Sequence, residues 1–283
     1  MPKFSLIVAT KGRTSELARL LASIESQSET DYELIIVDQN EDDRLVPILQ
    51  TSVKQEKILH MKCSPGVSHA RNMGMDHAQG EIIAFPDDDC WYPPYLMERV
   101  SGWFDANPSY EILSVTSRDA NGECSCNGWF QHSCDLNDLN IFRTSGGSCY
   151  FIHSSRIAQT VRYDECIGPG SNSPYLCGED TDFLLTAIRM GAHGRFEAKW
   201  NIGHPRKDIR GASVSKERVY GFGQGMGFVQ RKHRMGWLWA LFIAYDYGRA
   251  LWFYPIGRRV QAALWWRHAR GLMAGYLCAY AKL

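Results

Sequence analysis

The chain has 283 residues, of which 45% are hydrophobic and 22% charged, and its 31 basic and 31 acidic side chains cancel to a formal net charge of zero. Such figures describe an ordinary globular protein of one large or two small domains, and they exclude a global field that would draw nucleic acid. The opening MPKFSLIVAT lacks a charged leader with an apolar segment and cleavage site, so no secretory signal is read. The nine cysteines then fit reduced thiols in a cytoplasmic protein.

Taken in order, the chain alternates two kinds of segment. Phe4 to Ala9 is a compact β-rich run, followed by the loop Thr10 to Arg13. Leu17, Leu20, Leu21 and Ile24 then fall at i, i+3, i+4 and i+7, the stripe of a helix capped by Thr14 or Ser15. ELIIVD is a second buried-strand candidate ending at Asp38, and KILHM a third. GVSHARNMGMDHAQG reads as a short helix closed by Gly80, and a further apolar run, Ile82 to Phe85, stops at Pro86. Strands alternating with helices predict βαβ units and a largely parallel sheet.

Three aspartates, Asp87, Asp88 and Asp89, stand where that last strand stops. Like charges so close repel unless something positive lies among them. In open α/β sheets the ligand binds beyond the carboxyl ends of the strands, and Asp38 and the aspartate triplet all lie at such ends. A shared crevice holding a cation follows. Carboxylates suit Mg²⁺ or Mn²⁺, and Mg²⁺ uses only one or two of them together with phosphate oxygens, so a phosphorylated ligand is implied.

Further along, Cys124, Cys126, Cys134 and His132 lack the tight paired spacing of a four-ligand zinc site and read as a polar excursion. GEDTDF opens another helix, in which Phe183, Leu184, Ala187 and Ile188 share a face, Arg189 lies in the last turn and Gly191 follows as a stop. Acidic residues favour a helix's first turn for electrostatic reasons alone. His204 is an isolated histidine, and the basic residues after it, Arg206, Lys207, Arg210 and Lys216, form either a lid with Gly211 as hinge or a solvated loop. From Gln230 onward the chain has many tryptophans and arginines and one acidic side chain, Asp246. No uncharged run there reaches the length of about 20 residues that crosses a bilayer. The composition suits either a peripheral membrane interface or a helical appendage packed on the rest of the chain or on a second copy.

The segments FSLIVATKGRTSELARLLASIESQ, ELIIVDQNEDD, GVSHARNMGMDHAQGEIIAFPDDDCWYPPYL and GPGSNSPYLCGEDTDFLLTAIRMG resemble, in that order, the successive motifs of inverting glycosyltransferases of family 2. The resemblance covers roughly residues 4 to 205. It implies a GT-A fold: an α/β, Rossmann-like, mostly parallel mixed sheet flanked by helices, here with a helical, aromatic and basic C-terminal appendage. The catalytic domain would be residues 1–229, with a nucleotide-binding half of about 1–110 and an acceptor-binding half of about 111–229. Residues 230–283 would be the appendage. The implied activity is hexosyl transfer, with inversion, from a nucleoside diphosphate sugar to a hydroxyl of a glycan or lipid-linked acceptor. A UDP-sugar is favoured over GDP- and dTDP-sugars, and Mn²⁺ or Mg²⁺ is the expected cofactor.

Carried over by residue, the resemblance makes Asp38 the base- and ribose-contacting aspartate, with Thr10, Lys11 and Arg13 lining the same nucleotide pocket. Arg71 and Asn72 match a signature that lies close to the donor. Asp87 and Asp89 form the DxD pair, with Asp88 between them; Asp89 is the main metal ligand, Asp87 stands nearer the ribose, and His204 closes the metal site. Asp180 becomes the general base and Glu179 a residue that holds the acceptor. After Asp38 this chain has QNEDD where the family often has a small Ser- or Gly-bearing turn. Three other classes compete on the residues. A glycoside hydrolase needs two carboxylates but no metal-binding triplet. A sugar-nucleotidyltransferase would carry a glycine-rich basic loop where ATKGRTSE has one glycine. A catalytically silent glycan-binding module would bind donor without turnover.

Overall fold

The structure, a computed structural model, describes residues 1–52, 55–125, 128–206 and 215–278, apart from the side chains of residues 155 and 156. Two compact units make up the chain: Met1–Tyr163 with Phe183–Lys207, and Asp164–Asp182 with Asp208–Leu283.

The first unit is built on an eight-stranded sheet. Its strands are β1 (Phe4–Thr10), β2 (Tyr32–Asp38), β3 (Ile58–Lys62), β4 (Ile82–Ala84), β5 (Ile112–Arg118), β6 (Cys134–Asp135), β7 (Tyr150–His153) and β8 (Gly194–Gly203), in the spatial order β3-β2-β1-β4-β7-β5-β8-β6. β3, β2, β1 and β4 run parallel, as the alternation of strands and helices predicts. β7 enters antiparallel between β4 and β5, and the two-residue β6 closes the far edge. The register sets Thr10 beside Asp38 and Asp38 beside Lys62, so three strand ends bring their polar residues to one edge. Residues such as Ile7, Val8, Ile35, Ile36 and Ile83 are all but completely enclosed, which is why these runs read as continuously apolar rather than alternating.

The helices α1 (Ser15–Glu25), α2 (Val46–Thr51), α3 (Val67–His77), α4 (Leu96–Ala106) and α5 (Ser154–Thr160) belong to this unit. α1 buries the predicted stripe of Leu17, Leu20, Leu21 and Ile24, with Thr14 at its N-cap, although the threonine hydroxyl makes no capping bond. α3 stops at His77, earlier than the expected closure at Gly80, because Ala78 turns to extended backbone. Gly80 instead allows close passage beside β1: a Cβ there would come within 2.4 Å of the Ser5 nitrogen. α6 (Glu179–Arg189) carries the chain from the second unit into the first after Asp182. Its Phe183 joins Phe85, Tyr150 and Tyr163 in a ring cluster under the aspartate loop, with centroids between 4.4 and 6.3 Å apart.

The second unit is helical, with α7 (Lys216–Lys232), α8 (Gly236–Phe253) and α9 (Arg259–Leu277). α7 and α9 meet through glycines. Gly223 and Gly227 on one helix face Gly271 and Gly275 on the other, and a Cβ at Gly223 or Gly275 would stand 2.4 or 2.0 Å from the partner backbone. Glycine at both sides of a crossing lets two backbones touch without side chains between them. α8 packs on α9 through Ala250, Phe253, Ala262 and Trp265. Among the described residues no helix is long and apolar enough to cross a membrane, and no disulfide is formed.

Candidate active site

β4 ends in Phe85 and Pro86, and the aspartate loop follows directly. Arg71, projecting from α3 and 3% exposed, reaches Asp87 Oδ1 at 3.2 Å, its guanidinium lying over the Tyr163 ring. Arg13, from the loop after β1, donates to the carboxylates of both Asp88 and Asp89. Arg19 on α1 donates to the Asp89 carbonyl at 2.6 Å and stacks on Trp91. These arginines are the positive partners the triplet requires; Arg19 is one that sequence reasoning missed, its only signal being a basic residue on the polar side of α1. Burial pushes the Asp88 carboxyl up, and the Arg13 guanidinium works against it.

His204 arrives from the opposite direction. Trp91 and Gly203 form an antiparallel bridge with N–H···O distances of 2.9 and 2.8 Å, and the His204 nitrogen donates to the Arg118 carbonyl at 2.8 Å. The imidazole therefore lands on the aspartates, Nε2 being 3.2 Å from Asp89 Oδ1 and 3.7 Å from Asp87 Oδ2. Its Nδ1 is 2.6 Å from the Pro205 carbonyl, a contact that requires Nδ1 to carry the proton. Nε2, buried and without a hydrogen bond among the described residues, then directs a lone pair at two carboxylates. That arrangement is attractive only with a proton or a cation among the three groups. Asp87, Asp89 and His204 offer ligand atoms all within 4.8 Å of one another, and two carboxylate oxygens with one imidazole nitrogen fit a hard or borderline divalent cation. The His204 tautomer, fixed by a backbone carbonyl, is the usual second support of a metal-binding histidine.

Gly203 is under sharp constraint, since a Cβ there would lie 1.9 Å from the Trp91 ring. Gly203→Ala is expected to cost about 1–3 kcal/mol through overpacking and to weaken stabilisation by Mn²⁺, because Trp91 and His204 are held by the same bridge. Thermal denaturation with and without Mn²⁺ checks this; an unchanged Tm together with unchanged Mn²⁺ protection contradicts it.

Further along the same edge of the sheet, Asp38 is fully buried at the tip of β2. Its Oδ1 accepts from the Asn40 backbone and side chain, and its Oδ2 lies 3.1 Å from both His60 Nε2 and Lys62 Nζ. Burial alone would raise this carboxyl, but Asn40, His60 and Lys62 outweigh it and hold the group below its ordinary value. His60 and Lys62 were missed by sequence reasoning; their two-residue spacing on β3 was the available signal. The departure QNEDD has a structural reason. Asn40 Oδ1 accepts from the Gly12 nitrogen at 2.6 Å and Gln39 Oε1 from the Gly66 nitrogen at 2.8 Å, so two long amides brace the loop after β1 and the start of α3. Thr10 is buried beside Asp38, whereas Lys11 is exposed. Asn72 spends both amide atoms on the Tyr163 backbone, at 2.9 and 3.0 Å.

Beside Asp87 and His204 opens a cavity of about 130 Å³, bordered also by Ser117, Ser125, Trp129 and Gly147. Trp129 stacks on Phe196, and its buried indole N–H has no hydrogen-bond partner among the described residues.

In the second unit, Glu179 and Asp180 open α6 and are 9% and 8% exposed. α7 shapes the segment before them with a second glycine face. A Cβ on Gly225 would meet the Cys177 carbonyl oxygen at 2.1 Å, and Gly178 takes φ of +102° with Val229 against it. Burial, with Glu179 and Asp180 nearby, pushes the Cys177 thiol well up. Asp182, 1% exposed, accepts from Lys232 and His233 at 2.8 Å each, and Lys232 also meets Asp164 at 2.7 Å. Neither Lys232 nor His233 was singled out from sequence. Of the basic residues after His204, Lys207 and Arg210 with the hinge Gly211 lie outside the described residues, as does Cys126.

Residues 5–144 match the model of Glycosyl transferase family 2. The chain carries a family 2 glycosyltransferase domain. An uncharacterized glycosyltransferase of Bacillus subtilis, YwdF, is 27% identical over 160 residues, covering 53% of this chain and 59% of that protein. The chain thus spans less than two thirds of this relative. Among solved structures, Staphylococcus aureus TarS residues 1–349 in complex with UDP-GlcNAc superposes with a TM-score of 0.63 at 18% identity, over 80% of this chain and 66% of TarS. A mannosyltransferase of Pyrobaculum calidifontis in complex with GDP-Man and Mn²⁺ gives 0.59 at 14% identity, over 98% and 76%. At such identities the likeness establishes the fold, a glycosyltransferase α/β architecture, and no more. The Asp87, Asp89 and His204 cluster draws its first two members from inside the matched family 2 domain.

Proposed function

We propose that this chain is an inverting, divalent-cation-dependent hexosyltransferase that moves a sugar from a nucleoside diphosphate, a UDP-sugar in the first instance, to a hydroxyl of a glycan or lipid-linked acceptor. Catalysis is assigned to residues 1–229. The observation that carries the reading is the His204 imidazole, its tautomer fixed by Pro205, aimed at Asp87 and Asp89 within a family 2 domain.

The roles are those that the resemblance to family 2 implies. Asp38, flanked by His60 and Lys62, takes the nucleoside end with Thr10, Lys11 and Arg13, while Arg71, Asn72 and Asp88 flank the donor. Asp89, Asp87 and His204 would hold Mn²⁺ or Mg²⁺, which would supply positive charge to the departing diphosphate. Asp180 takes the acceptor hydroxyl proton as that oxygen bonds to the anomeric carbon, on the face opposite the breaking bond to diphosphate oxygen, and Glu179 holds the acceptor. Related structures with UDP-GlcNAc, and with GDP-Man and Mn²⁺, support the donor class and the cation.

The test is a thermal-shift screen of UDP-, GDP- and dTDP-sugars with Mn²⁺, because a ligand that binds only the native state raises its stability. A Mn²⁺-dependent rise with at least one donor is expected; no shift with any donor overturns the reading. The cavity at Asp87 is assigned to the donor sugar, with the Trp129 N–H donating to a sugar hydroxyl. Trp129→Phe removes that one bond and is expected to raise the donor KM about tenfold, the value of a net contribution of about 1.4 kcal/mol, with kcat nearly constant. Wild-type KM in the variant removes Trp129 from sugar recognition.

A further inference from the structure

α8 is built inside out. Its exposed side chains are Trp237, Leu241, Tyr245, Leu251 and Trp252, each between 56% and 68% accessible, and its remaining exposed positions are alanine or glycine. At about 100° per residue these fall on one stripe. Of the helix's two charged residues, Asp246 lies on the opposite side and Arg249, half-buried, at the flank. Asp246 is 3% exposed and bonded to His268, and Arg249 lies over the rings of Phe253 and Trp265. A helix at a water-facing surface has the opposite arrangement, with charge outward and apolar residues inward. The apolar stripe continues into the turn after α8, where Tyr254 and Ile256 are 63% and 55% exposed.

The charge around this stripe names what covers it. From Gln230 to Leu283 the sole acidic residue is Asp246, and it is enclosed. Arg258 and Arg259 are exposed at the turn, and Arg267 and Arg270 along α9. A second copy docking through the same face would set the same surplus of arginines on both sides, and among the described residues from Gln230 onward no exposed acidic side chain meets them. An anionic lipid surface meets both needs at once, accepting the aromatic and aliphatic stripe at its interface and the arginines at its headgroups. We propose that α8 and the turn after it form a membrane-adsorbing surface that lies on an anionic bilayer without crossing it.

The test is co-sedimentation of the full chain with vesicles of phosphatidylcholine alone and of phosphatidylcholine with phosphatidylglycerol, alongside sedimentation velocity without lipid. Preferential binding to the anionic vesicles, weakened by salt, is expected. The double variant Leu251→Glu, Trp252→Glu should weaken it at least about tenfold, and Arg258→Gln, Arg259→Gln by about fivefold for each arginine removed. Retained thermal stabilisation by nucleotide sugar shows that the variants are folded, and that readout stands apart from lipid binding, so a failed membrane result leaves the transfer reading intact. Equal binding to both vesicle types, undiminished binding of the variants, or a lipid-independent dimer that the Leu251/Trp252 variant dissolves each overturns the proposal.

Discussion

Asp180→Asn is expected to lower turnover by about 10²- to 10⁴-fold, the usual contribution of a positioned general base, while Mn²⁺ and donor binding stay near wild type. The substitution keeps size and hydrogen bonding but removes the ability to take a proton. Asp180 belongs to the second unit and is absent from the Asp87, Asp89 and His204 cluster, so donor affinity has no reason to follow turnover. Steady-state kinetics paired with calorimetry separates the two quantities. Unchanged kcat removes Asp180 from proton transfer, and a parallel loss of donor affinity means it acts on binding instead. Glu179→Gln provides the contrast: a residue that holds the acceptor should raise the acceptor KM more than it lowers kcat.

The second large effect is at Asp89. Asp89→Ala deletes the carboxylate nearest His204 Nε2, at 3.2 Å, and apparent Mn²⁺ affinity should fall by more than the roughly 10- to 100-fold that loss of an outer-sphere partner costs. Donor binding measured with Mn²⁺ should weaken with it. The metal-free protein should keep its Tm, since removing one of three adjacent carboxylates also relieves repulsion. Asp88→Asn is the internal control. Asp88 bonds to Arg13 and lies outside the three-residue cluster, so its loss should leave Mn²⁺ affinity within a few-fold of wild type. Calorimetric titration that gives Asp89→Ala wild-type Mn²⁺ affinity would falsify the metal role.

Much of this arrangement can be read from the chain. The parallel half of the sheet is legible because each of its strands is a short apolar run bounded by a turn, and α1 because four residues mark its buried stripe. That Asp38 and the aspartate triplet gather at one edge is legible because the ends of parallel strands lie together there. The rest depends on pairings that carry no local signal. β7 interrupts the parallel order from a position far along the chain, and His60 and Lys62 acquire meaning only when register sets β3 beside β2. Gly203 and Gly225 are small because another backbone or ring passes within about 2 Å of where a Cβ would be, and the residues that pass, Trp91 and Cys177, lie far off in sequence. The character of α8 is the sharpest case. Composition shows an aromatic, basic segment, but only the enclosure of Asp246 and the exposure of the aromatic stripe show which way it faces.

α7 has glycine on two faces, Gly223 and Gly227 toward α9 and Gly221 and Gly225 toward the residues that lead into Glu179 and Asp180. Packed helices ordinarily meet through layers of interdigitated side chains. Here backbone bears on backbone toward α9 and at Gly225, and on the second face only the Leu176 side chain, at Gly221, lies between, so α7 has little soft material on either face. A displacement of α9 would therefore reach, through α7, the residues that lead into Glu179 and Asp180.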